Sequence, residues 1–190
     1  MRWMCLALVP LLVALLGCQV LAPEPEWLTN YKDGVALVDR GETTKAQDKF
    51  KHAIELNPNL AEAHIQLGIL YFNDKTRTGV RGESERIDLA EKENSQAVDI
   101  LLRAKTTAIP GTDYEKVLST AYGNLATTEV MQAQKTMLTF NFRGAATLQQ
   151  IAMNDFRRAL QHDPTNSTAR EALNNPGLRA DTAVLRQLSR

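Results

Sequence analysis

From residue 27 onward, apolar and small residues recur every three or four positions between charged and amide side chains. That is the period of helices buried on one face. Within it lies a repeated pattern. Ala46, Phe50, Ala53 and Pro58 are separated by gaps of four, three and five, and Ala152, Phe156, Ala159 and Pro164 by the same gaps. The flanking text AIELNP matches ALQHDP, and Ala97, Leu101, Ala104 and Pro110 read as a weaker third copy with the last gap longer by one. Gly34 and Leu37 precede the first copy as Gly68 and Tyr71 follow Pro58. Small residues there let two antiparallel helices approach, and bulky ones fill the seam.

Further along, the segment after Asn73 reads as a polar loop marked by Gly79 and Gly82, and a helix is predicted from Ser84 to about Thr107. Another is predicted from Asp113 to about Met137, then a break near Arg143-Gly144 and a helix from Ala145 to Gln161. A short helix over Ser167–Leu173 and a weaker one over Ala180–Leu188 close the chain. Asn59-x-x-Glu62 and Thr112-x-x-Glu115 read as capping boxes, and Asn166 or Ser167 as a cap. The expectation is about eight helices and no sheet.

The residues Gly34, Leu37, Ala46, Phe50, Ala53 and Pro58 resemble the signature of the tetratricopeptide repeat, a 34-residue helix–turn–helix unit. Residues 27–60 resemble one nearly complete repeat, and 61–72 the first helix of a second. From Pro58 to Pro110 is 52 residues and from Pro110 to Pro164 is 54, so the later repeats carry insertions. The implied fold is an all-α superhelix of about three helix pairs, over 27–60, 61–111 and 112–166, capped by 167–190. Each pair has an apolar face that only its neighbours can bury, and insertions decorate one edge. The resemblance implies a concave face lined by the first helix of each pair. Counting from Gly34 and Gly68, its residues are Tyr31, Val35, Val38, Ile65, Ile69 and Phe72. These lack the Lys and Asn pattern with which chaperone-binding members hold a peptide carboxylate. The implied groove is apolar, suited to an amphipathic helix or an extended hydrophobic segment of a protein partner. Lengthened helices or the C-terminal tail covering it is the competing expectation.

The first residues follow a different pattern. Arg2 is the sole charge before Glu24, and an apolar run from Cys5 to Leu16 ends at Gly17. This is the layout of a secretory signal. Leu15-Leu16-Gly17-Cys18 resembles the lipobox of bacterial lipoproteins, although Leu at the second position is less usual than a small residue. The resemblance implies removal of residues 1–17 and lipidation of Cys18. Residues 18–26 then form a Pro-containing tether, with Pro25 in the first turn of the next helix. With Gln19 rather than Asp after the Cys, it also implies the periplasmic face of an outer membrane. An uncleaved span is the alternative, because about twenty apolar residues suffice to cross a bilayer.

Charge narrows the class of function. The chain has 22 Lys+Arg against 22 Asp+Glu, and without residues 1–17 the balance is 21 to 22. No basic face for nucleic acid is expected from that balance. Once Cys5 is removed and Cys18 lipidated, no disulfide or thiol remains. His52, His64 and His162 show no metal-binding spacing, and nucleophile elbows, phosphate loops and dinucleotide turns are absent. Glu62, Glu83, Glu85, Glu91 and Glu93 read as solvated helix surface. Neither a metal nor a cofactor is expected, and an enzyme is not. The sequence points to a membrane-tethered scaffold that binds protein in the cell envelope. The alternative is a small-ligand binder or transporter accessory, with Tyr114, Tyr122, Phe140 and Phe142 around a pocket between lengthened helices.

Overall fold

The computed structural model describes residues 23–74, 76, 79–178, 183, 184 and 187. The apolar N-terminal segment, Cys18 and most of the expected helix over Ala180–Leu188 lie outside them. Seven helices run through the described residues: α1 Glu26–Asp39, α2 Thr43–Leu56, α3 Ala61–Phe72, α4 Gly79–Ala104, α5 Tyr114–Leu138, α6 Phe142–His162 and α7 Ser167–Asn174. They pack as antiparallel pairs α1/α2, α3/α4 and α5/α6, with α7 against α6. No strand occurs among the described residues. The fold is an all-α superhelix of the tetratricopeptide type.

The first pair shows why the spacing works. A Cβ on Gly34 would stand 2.7 Å from Cε1 of Phe50, so only glycine lets α1 approach the ring. Ala46, Phe50 and Ala53 are fully buried along that seam. Ala152, Phe156 and Ala159 are buried in the same way on α6. There Ser119 of α5 takes the small position and donates its hydroxyl to the Ala159 carbonyl at 2.8 Å. Two apolar clusters join through α3: Ala63 and Leu67 pack towards α1 and α2, while Ala61 and Ile65 pack towards α4, α5 and α6.

The second pair differs from the sequence expectation. Ala104 is the exposed last residue of α4 rather than a seam residue. The places of Ala46, Phe50 and Ala53 are taken by Ala90, Asn94 and Ala97, all buried. A Cβ on Gly68 would collide with Asn94 Oδ1, just as one on Gly34 would collide with Phe50. The displacement from Ala97-Leu101-Ala104 is seven residues, about two helical turns, which keeps the same face inward. Periodicity alone therefore cannot choose between the two registers, and an asparagine where a phenylalanine is expected conceals the right one.

Other boundaries move for local reasons. Helix α4 starts at Gly79, not Ser84, because its first turns are exposed and polar around Arg81, Glu83 and Glu85 and show no apolar period. It ends at Ala104, before Lys105 in the left-handed region at φ 54°. The α5–α6 turn is made by Phe140, also left-handed at φ 59°, while Gly144 lies inside the first turn of α6. Asn141 caps that helix, accepting the Gly144 N–H at 2.9 Å.

Neither expected capping box forms. The N-cap of α3 is Leu60, with no side-chain bond, and Glu62 is drawn inward instead. Asp113, not Thr112, caps α5, accepting N–H groups of Glu115 and Lys116 at 3.0 and 3.3 Å. Asn166 caps α7 by accepting the Ala169 N–H at 3.0 Å. Pro25 stands at the N-cap of α1, where its carbonyl accepts the Leu28 and Thr29 N–H groups.

Candidate functional site

The first helices of the three pairs, α1, α3 and α5, present one common face. Across it runs a cleft of about 320 Å³ lined by Tyr31 of α1, Glu62, Ile65 and Gln66 of α3, Lys116, Val117 and Thr120 of α5, and Ile109 and Thr112. Two of the six residues expected at the groove, Tyr31 and Ile65, line this cleft. Val35, Val38 and Phe72 lie half-buried against the cluster of α1–α3, and Ile69 against the other. Phe72 is covered by Arg86 of α4, whose guanidinium stands 5.5 Å from the ring centre and donates to the Phe72 carbonyl. The lengthened fourth helix thus covers one of the residues expected at the groove.

Part of the cleft wall comes from the chain between α4 and α5. Residues 105–112 form a tied strap: Thr112 Oγ1 donates to the Ile109 carbonyl at 2.8 Å, and Thr107 Oγ1 to the Ile109 and Thr112 carbonyls at 3.3 Å. Ala108 and Ile109 pack against the cluster of α1–α3. The Ile109 N–H donates to Glu62 Oε1 at 3.3 Å. Tyr31 sits 5.7 Å from the Phe50 ring, centre to centre. Burial raises the Tyr31 phenol above its ordinary pKa, Glu62 adds to the rise, and a hydrogen bond with Gln66 opposes it.

The carboxylates are the residues that sequence reasoning placed wrongly. Glu62 and Glu93 are buried rather than solvated, while Glu83 and Glu85 are exposed. Burial pushes the Glu62 carboxyl up, against the pull of backbone N–H groups that include Ile109 and Ala108. Glu93 accepts from His64 Nδ1 at 2.6 Å, joining α3 to α4 inside the second pair. His52 is exposed beside Glu55, and His162 stacks on Tyr122 while bonding Glu115 at 2.6 Å. All three histidines have structural partners. Among the described residues, no three His, Cys, Asp or Glu are grouped to hold a metal ion.

A second acidic group was missed entirely. Glu129 of α5 and Asp155 of α6 are both buried. Burial pushes the Glu129 carboxyl up to about 8, with Asp155 and Glu91 adding repulsion and Arg158 opposing them. Asp155 is also raised, chiefly by burial, against its 2.7 Å bond to Arg158. The spacing Ser119, Tyr122, Ala126, Glu129, Ala133 puts Glu129 on the inward stripe, a signal available once its charge is disregarded.

The four aromatics expected around a ligand pocket fall in two separate places, Tyr114 and Tyr122 at one apolar cluster and Phe140 and Phe142 at the α5–α6 turn. Tyr122 is buried in the core, and Tyr114 donates to the Leu101 carbonyl at 3.2 Å. Phe140 and Phe142 contact each other edge to face at the α5–α6 turn, where Phe140 is 82 % exposed. The larger cleft of the second half, about 460 Å³, lies between α5 and α7 instead, with Val130, Met131, Phe156, Ala172 and Leu178 among its lining.

Comparison with known proteins agrees with this architecture. Residues 34–75 match the family model of the TPR repeat. Among solved structures, the chain is similar to the first TPR of Spaghetti (RPAP3) bound to the HSP90 peptide SRMEEVD. The TM-score is 0.53 at 16 % identity, covering 85 % of this chain and 94 % of that one. The first TPR domain of the human RPAP3 protein gives a TM-score of 0.55 at 15 % identity, covering 85 % of this chain and 96 % of that one. No curated protein matches the chain in sequence.

Proposed function

We propose that this helical-repeat chain is a membrane-tethered, non-enzymatic scaffold that binds a protein partner in the cell envelope through the concave face of α1, α3 and α5. The observation that carries the reading is the cleft between Tyr31, Ile65 and Val117, which three first helices line with apolar side chains together. Folds of this type present extended concave surfaces for binding, and the Spaghetti TPR of the same fold is bound to a peptide. This chain already lays a bent segment of its own, Ala108-Ile109, at that face. The tether rests on the sequence around Cys18: an apolar run, then Leu-Leu-Gly-Cys, then the Pro-containing spacer to α1. Lipidation there would hold the groove within a short reach of the membrane surface, facing the periplasm from the outer membrane.

Two linked measurements test this. Metabolic labelling with a fatty-acid probe should mark the chain and be abolished by Cys18→Ser; unchanged labelling would remove the anchor from the proposal. A photo-crosslinking residue at Val35 or Thr120 should yield a discrete adduct in membranes, and one at the exposed Asp48 of α2 should not. Adducts of equal yield from both faces would dismiss the groove.

The small-ligand reading retains one supporting observation, the 460 Å³ apolar cleft between α5 and α7. That volume falls within the roughly 300–1,000 Å³ of ligand sites.

A further inference from the structure

Within the concave cleft, one buried acid has incomplete bonding. Glu62, in the first turn of α3, is 5 % exposed and lines the cleft beside Tyr31, Ile65 and Ile109. Its Oε1 accepts a long bond from the Ile109 N–H, at 3.3 Å, and the Ala108 and Glu62 backbone N–H groups also pull on the carboxyl. Its Oε2 is buried with no hydrogen-bond partner. A buried carboxylate left half-satisfied costs stability, typically several kcal/mol unless paired. Among the described residues, no cation is paired with it. Lys116 lines the same cleft, but its charge acts on Asp163 at the end of α6 and is not among the influences on Glu62. Nor does packing demand an acid there, since the seam of α3 is built by Ala63, Leu67 and Tyr71.

The strap illustrates the mode of binding that this arrangement accepts. Ile109 places an apolar side chain against the cluster of α1–α3 while its backbone N–H reaches the acid. A volume of about 320 Å³ holds side chains of a bound segment, not a folded element. A charge-assisted bond to an arginine or lysine would complete Glu62, being about twice as strong as a neutral one.

We propose that the cleft receives an extended apolar segment of the protein partner carrying one basic side chain, and that this side chain pairs with Glu62. The proposal rests on the groove reading above and adds the chemistry of what enters it. The groove would then prefer a cationic segment.

The test uses the full chain in phosphatidylcholine nanodiscs, with empty nanodiscs as baseline. The probes are two fluorescent, end-blocked hexapeptides of alternating leucine and serine, one with a central arginine and one with citrulline, its neutral isostere. Fluorescence anisotropy should show the arginine peptide binding about tenfold tighter at pH 7.5, a gap of ~1.4 kcal/mol. Glu62→Gln should reduce the preference to within about twofold while citrulline-peptide binding persists, and Glu62→Asp should keep part of it. Acidification that protonates Glu62 should also shrink the preference. Equal affinities in the unaltered chain, no binding of either peptide, or a preference that survives Glu62→Gln would each overturn the proposal. If helicity is lost in Glu62→Gln, the Asp variant and the pH series decide. Tyr31→Ala separates the two readings. Equal peptide affinities that both fall in this variant leave the groove standing without its cation site, whereas affinities that do not change remove both.

Discussion

The first helix pair and the two longer ones solve the same packing problem with different materials. In α1/α2 a glycine meets a phenylalanine and the centre of the seam is apolar, Gly34 against Phe50 flanked by Ala46 and Ala53, with Asn30 buried one turn away and bonded to Lys49. In α3/α4 the matching glycine meets Asn94, and the acid Glu93 beside it pairs with His64 across the helices. In α5/α6 the seam holds Ser119, Thr128, Glu129, Gln149 and Asp155 among its buried residues. In the longer pairs, polar groups such as Asn94, Ser119 and Asp155 stand within the repeat seam itself, and Glu129 extends them further along α5. The regular pair is therefore the stability anchor, and the longer pairs carry buried charge at a cost.

The largest expected effect compares equivalent positions. Phe50→Ala should destabilise the chain by about 3–5 kcal/mol, the usual cost of truncating a fully buried aromatic. Asn94→Ala should cost less than about 1 kcal/mol, because it also removes an Oδ1 that has no partner. Equal losses in chemical denaturation would mean that the two pairs do not differ as described.

A middle-sized effect concerns Glu129. Its folded pKa is raised to about 8, so between an ordinary carboxyl pKa and 8 the folded state binds a proton that the unfolded state has lost. Its contribution is fully present at low pH and fades as pH rises towards and through 8. Glu129→Gln mimics the protonated form and should gain about 2 kcal/mol over the unaltered chain near pH 8.5, with little difference at pH 5. Asp155, also raised, leaves a residual slope of the same sign in the variant. Thermal melts at the two pH values check this. A variant equally stable or weaker at pH 8.5 would break the link between the longer pairs and buried charge.

The smallest effect lies at the α5–α6 turn. Phe140 has φ 59° and is 82 % exposed, so its ring adds little packing while its backbone is strained. Phe140→Gly should stabilise the fold by about 1 kcal/mol. A loss would show that the exposed ring supports the turn.

How much of this was legible in the sequence follows the same division. The pattern Ala46, Phe50, Ala53 and Pro58 gave the first pair nearly to the residue, because small and apolar side chains report burial directly. Ala152, Phe156 and Ala159 did the same on α6. The second pair was misread by two turns because Asn94 does not look like a core residue. Glu62 and Glu93 passed as surface, and Glu129 went unnoticed, for the same reason, since charge in a sequence ordinarily signals solvent. The strap could not be foreseen at all. Its contact with Glu62 joins residues 47 apart and depends on where the longer fourth helix ends.

Hydrogen–deuterium exchange of the full chain, alone and with its crosslink-identified partner, reads out which face the partner covers. Binding at the concave face predicts protection over 27–38, 61–72 and 114–120, together with altered exchange in the strap at 105–112. Protection confined to the α5–α6 turn or to the cleft between α5 and α7, with those segments unchanged, would contradict it.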